Sequence, residues 1–321
     1  MIKVRNILFL TCIFFGGTAS AEFERWYSIP NADTGVVGSN REAVVEVDDT
    51  LIDIAARYGL GYNLIRSANP EVDAWLPAEG ETVRLPFQTI LPGVSREGIV
   101  INVAEMRLYH YLPAQGSGNT SVAIYPISVG RGQWATPITK AKVTGRAEDP
   151  IWYPPESIRL EHAARGDVLP RQVPAGPDNP LGRYILVLDI PSYFIHGTNK
   201  RFGIGMQVTH GCVRMYPEDI EQLVRLSPNN TPVTIINQVF KLGWLDQQLY
   251  LEVHKPLDAD DQNQSDIRMG VNEAVVRETK YQLETVIDWE KLEAVISAAS
   301  GVPEMIGYKA APVMATGGDG V

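Results

Sequence analysis

The chain has 321 residues, with 28 basic against 38 acidic side chains and a formal charge of −10. That length leaves room for two modest domains, and the acidic balance disfavours nucleic acid or anionic lipid as a partner. Residues 1–21 combine Lys3 and Arg5, an apolar run from Ile7 to Phe15 and the ending Ala19-Ser20-Ala21, the pattern of a cleaved secretion signal. The run is too short to span a bilayer, and Cys12 within it would leave with the signal. The remainder carries −12 and has no other segment apolar enough to cross a membrane, so a soluble protein outside the cytoplasm is expected.

Residues 43–92 read as a small α+β unit. Val44, Val45 and Val47 suggest a strand. Thr50 and Asp53 stand in capping-box spacing ahead of Leu51, Ile54, Ala55 and Tyr58 on one helical face. Gly59 and Gly61 break that helix, a second runs from Asn63 to Ala68 and stops at Asn69-Pro70, and Val83 to Pro86 closes with another strand. This βααβ order, with Asp49-Thr50-Leu51 and Ala68-Asn69-Pro70, resembles a LysM module. The resemblance implies binding of N-acetylglucosamine-containing glycans; a structural cap without glycan affinity is the alternative.

From Gly98 the texture turns β-rich. Ile99–Val103, Met106–Tyr111, Val122–Val129, Tyr184–Leu188 and Val233–Ile236 are β-branched or aromatic runs separated by turns, which predicts a mainly β domain of sandwich or barrel type. One helix is expected at Pro217–Arg225, with Pro at its start, Glu218 and Asp219 in the first turn and Ile220, Leu223 and Val224 apolar. Between these strands the segment 149–183 is rich in Pro and Gly and predicts a long binding loop or lid. Trp134, Tyr193 and Tyr216 are candidates to line a cleft.

The domain's chemistry concentrates in Ile195-His196-Gly197-Thr198 and Thr209-His210-Gly211-Cys212-Val213-Arg214. Without the signal, Cys212 is the sole cysteine, so it has no disulfide partner in its own chain. A lone thiol is often a small buried hydrophobe. Here a histidine stands sixteen positions before it and glycines follow both histidines. A reactive thiolate needs a nearby base and a backbone that can turn its amides toward a carbonyl.

These residues resemble the YkuD-type L,D-transpeptidases of bacterial cell walls, in their Gram-negative periplasmic branch. The signature is His-Gly, a loop (here centred on Gly203-Ile204-Gly205), then Ser/Thr-His-Gly-Cys, an aliphatic residue and Arg or Asn. The similarity runs from about Arg96 to about Pro256, and Glu161-His162-Ala163-Ala164-Arg165-Gly166 and Gly176–Gly182 belong to it. One departure is Thr139, where the family has glycine. The resemblance implies Cys212 as nucleophile, His196 as general base held by the Gly197 carbonyl, and the amides of Gly211 and Cys212, with that of His210 as a further candidate, as an oxyanion hole. Arg214, His210 and Thr209 are the substrate-binding candidates, Arg214 through its bidentate match to a carboxylate. His210 is read as structural or substrate-orienting, with a second base as the alternative. Two histidines and a cysteine could hold zinc, but metal-ligand spacing is absent, so neither metal nor cofactor is expected.

The organisation expected is therefore a signal at 1–21, a LysM-like module at 43–92, a catalytic domain at 96–237 and an extension at 238–321. In the extension a strand is expected at Leu249–Val253, helices at Val271–Leu283 and Asp288–Ala299, and disorder from Gly301. The implied activity is cleavage of peptidoglycan tetrapeptide stems at diaminopimelate and transfer of the acyl group to an amine. That amine would be a second diaminopimelate, giving a 3→3 cross-link, or a lysine of an outer-membrane lipoprotein. Hydrolysis of the same thioester, or wall binding without catalysis, are the competing functions.

Overall fold

A computed structural model describes residues 25–113, 119–257, 263–280 and 284–310; the signal expected at 1–21 and the residues from 311 lie outside them. After β1 (Trp26–Ile29) and β2 (Val36–Val37), the chain forms β3 (Arg41–Val44), α1 (Leu51–Arg57), α2 (Tyr62–Ala68) and β4 (Thr82–Leu85). This is the βααβ order, with β3 antiparallel to β4. Thr50 Oγ1 accepts from Asp53 N at 3.2 Å and Asp53 Oδ2 accepts from Thr50 N at 3.1 Å, so the capping box satisfies two orphan amides of α1. Leu51, Ile54, Ile65, Val83 and Leu85 fill the unit's own core, and Met206 from far along the chain packs against it. The short β5 (Thr89–Ile90) then pairs with β2.

The central domain comprises β6 (Gly98–Asn102), β7 (Arg107–Leu112), β8 (Thr120–Gly130), β9 (Lys140–Glu148), α3 (Glu156–Ala163), β10 (Tyr184–Leu188), β11 (Phe194–His196), β12 (Gln207–Thr209), β13 (Val213–Met215), α4 (Pro217–Leu226) and β14 (Pro232–Ile236). Its sheet runs β8, β13, β11, β10, β9, β14, β6, β7 and back to β8, so it closes into a barrel. Closure leaves no free edge around the ring. Ile99, Ile101, Leu108, Tyr125, Leu186, Ile195 and Val213 fill the interior, and α4 packs Ile220 and Leu223 onto the same core. Strand β1 adds to β8 from outside the ring, so the N-terminal segment is part of the central sheet. The segment 149–183 is not structureless: it contains α3 and a Trp152–Val173 bridge. At Thr139 the backbone exchanges hydrogen bonds with Ile235, 3.2 and 2.8 Å, a ladder position that needs no glycine.

The C-terminal part adds β15 (Phe240–Leu245), β16 (Gln248–Val253), α5 (Gln264–Thr279), β17 (Thr285–Ile287), α6 (Trp289–Ala298) and β18 (Glu304–Lys309). The four strands make a second sheet in the order β15, β16, β18, β17. The expected disorder from Gly301 fails at β18, which lies between two partners and buries Ile306 in a core shared with α5 and α6. Helix α5 starts earlier than expected because Asn263 and Asp266 form a capping box; residues 281–283 of the expected helix lie outside the described chain.

Barrel and C-terminal sheet are joined by a buried ionic cluster. Lys241 Nζ sits 2.6 Å from Glu105 Oε2 and 3.1 Å from Glu252 Oε1, Arg107 Nη1 is 2.9 Å from Glu252, and His254 Nε2 is 2.7 Å from Glu252. Among the described residues, Glu105, Glu252 and His254 are the one set of acidic and imidazole donors grouped as metal ligands would be, and the lysine ammonium lies between its two carboxylates. Removing one partner of a buried network leaves an uncompensated charge. Lys241→Met should therefore cost about 3–5 kcal/mol, read as a fall in the urea midpoint. The network holds the Glu252 carboxyl well below the usual range, against the opposing effect of burial. Its contribution is present above the unfolded carboxylate range and is lost as pH falls below it.

Candidate active site

Strands β11 and β13 run parallel, with Ile195 opposite Val213 and His196 opposite Arg214. Ile195 and Val213 point into the barrel core. Alternation along the strands then places His196 and Arg214 on the outer face, and Cys212, just before Val213, beside them. The register of one short strand pair thus brings three of the expected site residues together.

The turn that carries the thiol is braced from several sides. Thr209 Oγ1 donates to the Cys212 carbonyl at 2.6 Å and accepts from Gly211 N at 3.3 Å. Thr136 Oγ1 donates to the Gly211 carbonyl at 2.8 Å and accepts from Gly130 N at 2.9 Å. Gly211 has φ +103° and a Cβ there would lie 2.9 Å from the Tyr193 ring, so no other residue fits this turn. Thr209, expected to meet substrate, is buried and braces the turn instead. The cleft candidates also divide: Trp134 and Tyr193 flank the turn, whereas Tyr216 is buried with its hydroxyl donating to Leu60 O at 3.0 Å.

Cys212 is partly accessible. Burial pushes its thiol pKa up, against a smaller lowering by the Phe194 amide, and Sγ lies 3.6 Å from the Ser192 carbonyl. His196 is buried, and desolvation lowers its pKa to about 4 despite the Gly197 and Leu181 carbonyls that favour the charged ring. Its Nδ1 is 2.7 Å from the Gly197 carbonyl. A carbonyl only accepts, so Nδ1 carries the proton and Nε2 is left as the basic nitrogen. At neutral pH the resting site therefore pairs a neutral thiol with a neutral imidazole.

His210 has different support. Its Nε2 is 2.6 Å from Glu161 Oε2, and its ring meets Trp134 edge-on at 4.8 Å. Glu161, on α3, also takes Arg131 at 2.6 Å and pairs with Arg165. The hydrogen bond from His210 is the main reason its pKa falls to about 2. The long insertion thus delivers a carboxylate to the second histidine, a role that no local spacing displays. In the same insertion Asn179 is fully buried, donates to Pro150 O at 2.7 Å and accepts from Leu181 N at 3.0 Å, which seats the Leu181 carbonyl near His196.

Arg214 donates to the Gly203 carbonyl at 3.2 Å, its buried Nε has no partner, and burial lowers its pKa. No carboxylate pairs with it among the described residues. The loop before Thr209 is fixed by Arg201, bidentate to Glu218 at 2.7 Å, and by the N-terminal unit. Tyr62 N donates to Ile204 O at 2.9 Å and Asn63 N to Gly205 O at 3.2 Å. Gly205 has φ +85° and a Cβ on it would lie 2.6 Å from Tyr62 N. The βααβ unit is therefore seated directly on the loop that holds Arg214.

A closed barrel bearing a thiol on a rigid turn, beside a buried imidazole and an arginine with no counter-ion among the described residues, defines an enzyme site organised around cysteine. The model of the YkuD L,D-transpeptidase catalytic domain matches residues 96–235. Probable L,D-transpeptidase YcfS of Escherichia coli K12 is 36% identical over 313 residues, covering 94% of this chain and 96% of the relative. Probable L,D-transpeptidase ErfK/SrfK of Salmonella typhimurium LT2 is 39% identical over 282 residues, 86% and 89% of the two chains. Probable L,D-transpeptidase YbiS of E. coli K12 is 38% identical over 296 residues, 90% and 93%. The chain belongs to the YkuD family of L,D-transpeptidases.

Proposed function

We propose that the protein is an envelope L,D-transpeptidase that works through a thioester on Cys212. The observation that carries this is the pairing of a partly accessible thiol, on a turn only glycine can make, with an imidazole fixed by a backbone carbonyl. Cys212 Sγ attacks the carbonyl between diaminopimelate and the terminal D-alanine of a peptidoglycan stem as its proton passes to His196 Nε2. The C–N bond breaks, the proton goes to the departing D-alanine amine, and the acyl group stays on sulfur. An incoming amine then loses a proton, attacks the thioester and restores the thiol. The Gly211 amide, with only the long contact to Thr209, and the Cys212 amide face the developing oxyanion. Removing such a donor costs about 10²–10³ in rate. Arg214 is the site's receptor for a substrate carboxylate, and Gly197 and Glu161 orient the two histidines.

The signal-like residues 1–21 and the peptidoglycan substrate favour the periplasm; no helix among the described residues is long and apolar enough to cross a membrane. The test is mass spectrometry of the protein with defined muropeptides. An acyl increment on Cys212, followed by transfer to diaminopimelate or to a lipoprotein lysine, supports transpeptidation. Shortened stems without cross-links would make the enzyme an L,D-carboxypeptidase.

The LysM-like reading of residues 43–92 rests on the βααβ order and the capped α1. These residues are not a detachable appendage, because α2 seats the active-site loop; β1, which precedes them, extends the central sheet. Deleting 22–92 should lower both attachment to sacculi and turnover of soluble muropeptides, the latter by about 10²-fold, the usual penalty for a site misplaced by 1 Å. Loss of attachment with full turnover would instead show an independent module.

A further inference from the structure

Separate from the thiol site, a groove of about 1200 Å³ runs between the N-terminal unit, the barrel and the C-terminal sheet. Neither Cys212, His196 nor Arg214 lines it. Its walls come from α2 and the loop that follows, from the turn between β6 and β7, and from His254 and Lys255 after β16, while Gly205 and Gln207 of the active-site loop complete it. We propose that this groove holds the glycan strand of peptidoglycan, in register to present its anionic stem peptide to Cys212. The proposal rests on the transpeptidase reading above, and it places glycan recognition in a composite groove, not on the βααβ unit alone.

Charge is the first support. The chain is acidic overall, at −10, yet of the groove's charged side chains without a salt bridge among the described residues two are cations and one, Asp73, is an anion. Arg84 is paired with Glu304 at 3.3 Å and Arg107 with Glu252 at 2.9 Å. Arg66 on α2 and Lys255 after β16 are both exposed, come from different parts of the chain, and have no carboxylate partner among the described residues. The acid on this lining without a salt bridge, Asp73, accepts from the backbone amides of Trp75 and Leu76 at 2.8 and 3.0 Å. A ligand carrying carboxylates fits such a pair of cations.

Shape and composition are the second. Trp75 is 64% exposed on this lining, and sugar rings lay their apolar faces on aromatic ones. The volume exceeds the roughly 300–1,000 Å³ of small-molecule pockets, which suits a polymer. Reach is the third. The groove ends at Gln207, five residues before Cys212, a path of at most about 17 Å. An extended stem reaches about 10 Å to the carbonyl before its terminal residue, the same order as that upper limit, so a strand lying in the groove is held close to the thiol. The C-terminal extension thereby gains a role, since it supplies the Lys255 wall.

The experiment uses the full chain and two probes: protein-free sacculi in a sedimentation assay, and a sugar-free tetrapeptide donor for turnover. Arg66→Glu combined with Lys255→Glu should weaken sacculus binding by about tenfold or more, a change of 1.4 kcal/mol, and Trp75→Ala should weaken it separately. Turnover of the sugar-free donor should stay within about twofold of wild type, as expected when a remote charge leaves the reacting groups untouched. Matched melting curves establish that both variants fold. Wild-type binding by the double mutant overturns the proposal. So does a parallel loss of sugar-free turnover, which would make the groove part of the acyl site. Competition by polyglutamate as effective as that by muropeptide fragments, with Trp75→Ala silent, also overturns it by showing an unspecific cationic patch. Absence of a Cys212 adduct with the sugar-free donor in wild type would instead sink the transpeptidase reading, independently of what sedimentation shows.

Discussion

Cys212→Ser should yield no acyl adduct with a tetrapeptide donor, while its melting curve stays close to that of wild type. Serine is near-isosteric, and the bonds that brace the turn run to the Thr209 hydroxyl and to the Gly211 and Cys212 carbonyls, none of which involves sulfur. The hydroxyl is a much weaker acid than a thiol, so the proton that His196 must take becomes too costly to move. A serine variant turning over at a near-wild-type rate would remove Cys212 as nucleophile. The wild-type thiol has its own signature. Because burial raises its pKa, thiolate is not stored at rest, and alkylation by iodoacetamide should climb steadily with pH through 9. A plateau near neutrality would show a stored thiolate–imidazolium pair and contradict the neutral resting site.

The resting site also explains which parts of the protein the sequence could disclose. The His-Gly and Thr-His-Gly-Cys segments are contiguous, and each needs its glycine for a local reason, so both the residues and the family they resemble are visible in the chain. Tyr184–Leu188 and the capped α1 are likewise local patterns, a short apolar run and side-chain spacing. Strand β9 escaped because Val143 is its single buried residue, leaving nothing to alternate against. The strands β12 and β13 are three residues each, too short for periodicity. Helix α3 buries no residue and so carries no apolar stripe, yet it brings Glu161 to His210 across 49 positions. Lys241 and Glu252 look like surface charges in otherwise apolar strands; only the packing of one sheet on another makes them a buried pair. What stayed illegible is what depends on distant partners.

Such distant partners decide between the two histidines, each of which is close to Cys212 in the fold or in the chain. His196 uses Nδ1 on the Gly197 carbonyl at 2.7 Å, which leaves Nε2, the nitrogen at the tip of the ring. His210 is the reverse: Nε2 is directed to Glu161 at 2.6 Å, leaving Nδ1, which sits close to its own backbone. A general base must come within hydrogen-bond reach of the proton it takes, and a free ring tip held on a barrel strand meets that need better. His196→Gln should therefore cut acylation by about 10²–10⁴, the usual contribution of a general base, and His196→Ala should do the same with some loss of stability from the cavity. Glu161→Gln and His210→Ala should raise KM or reduce folded yield, while acylation at saturating donor and thiol alkylation persist. The pH profile supplies the discriminating sign. His196 titrates at about 4 and must be neutral to accept a proton, so wild-type acylation should be flat at neutral pH and fall as pH drops through about 4. That acid limb should vanish in His196→Gln and survive in His210→Ala. If instead His210→Ala removes the limb and His196→Gln keeps it, then the base is His210, oriented by Glu161, and the carbonyl-held His196 is a structural residue of the barrel wall.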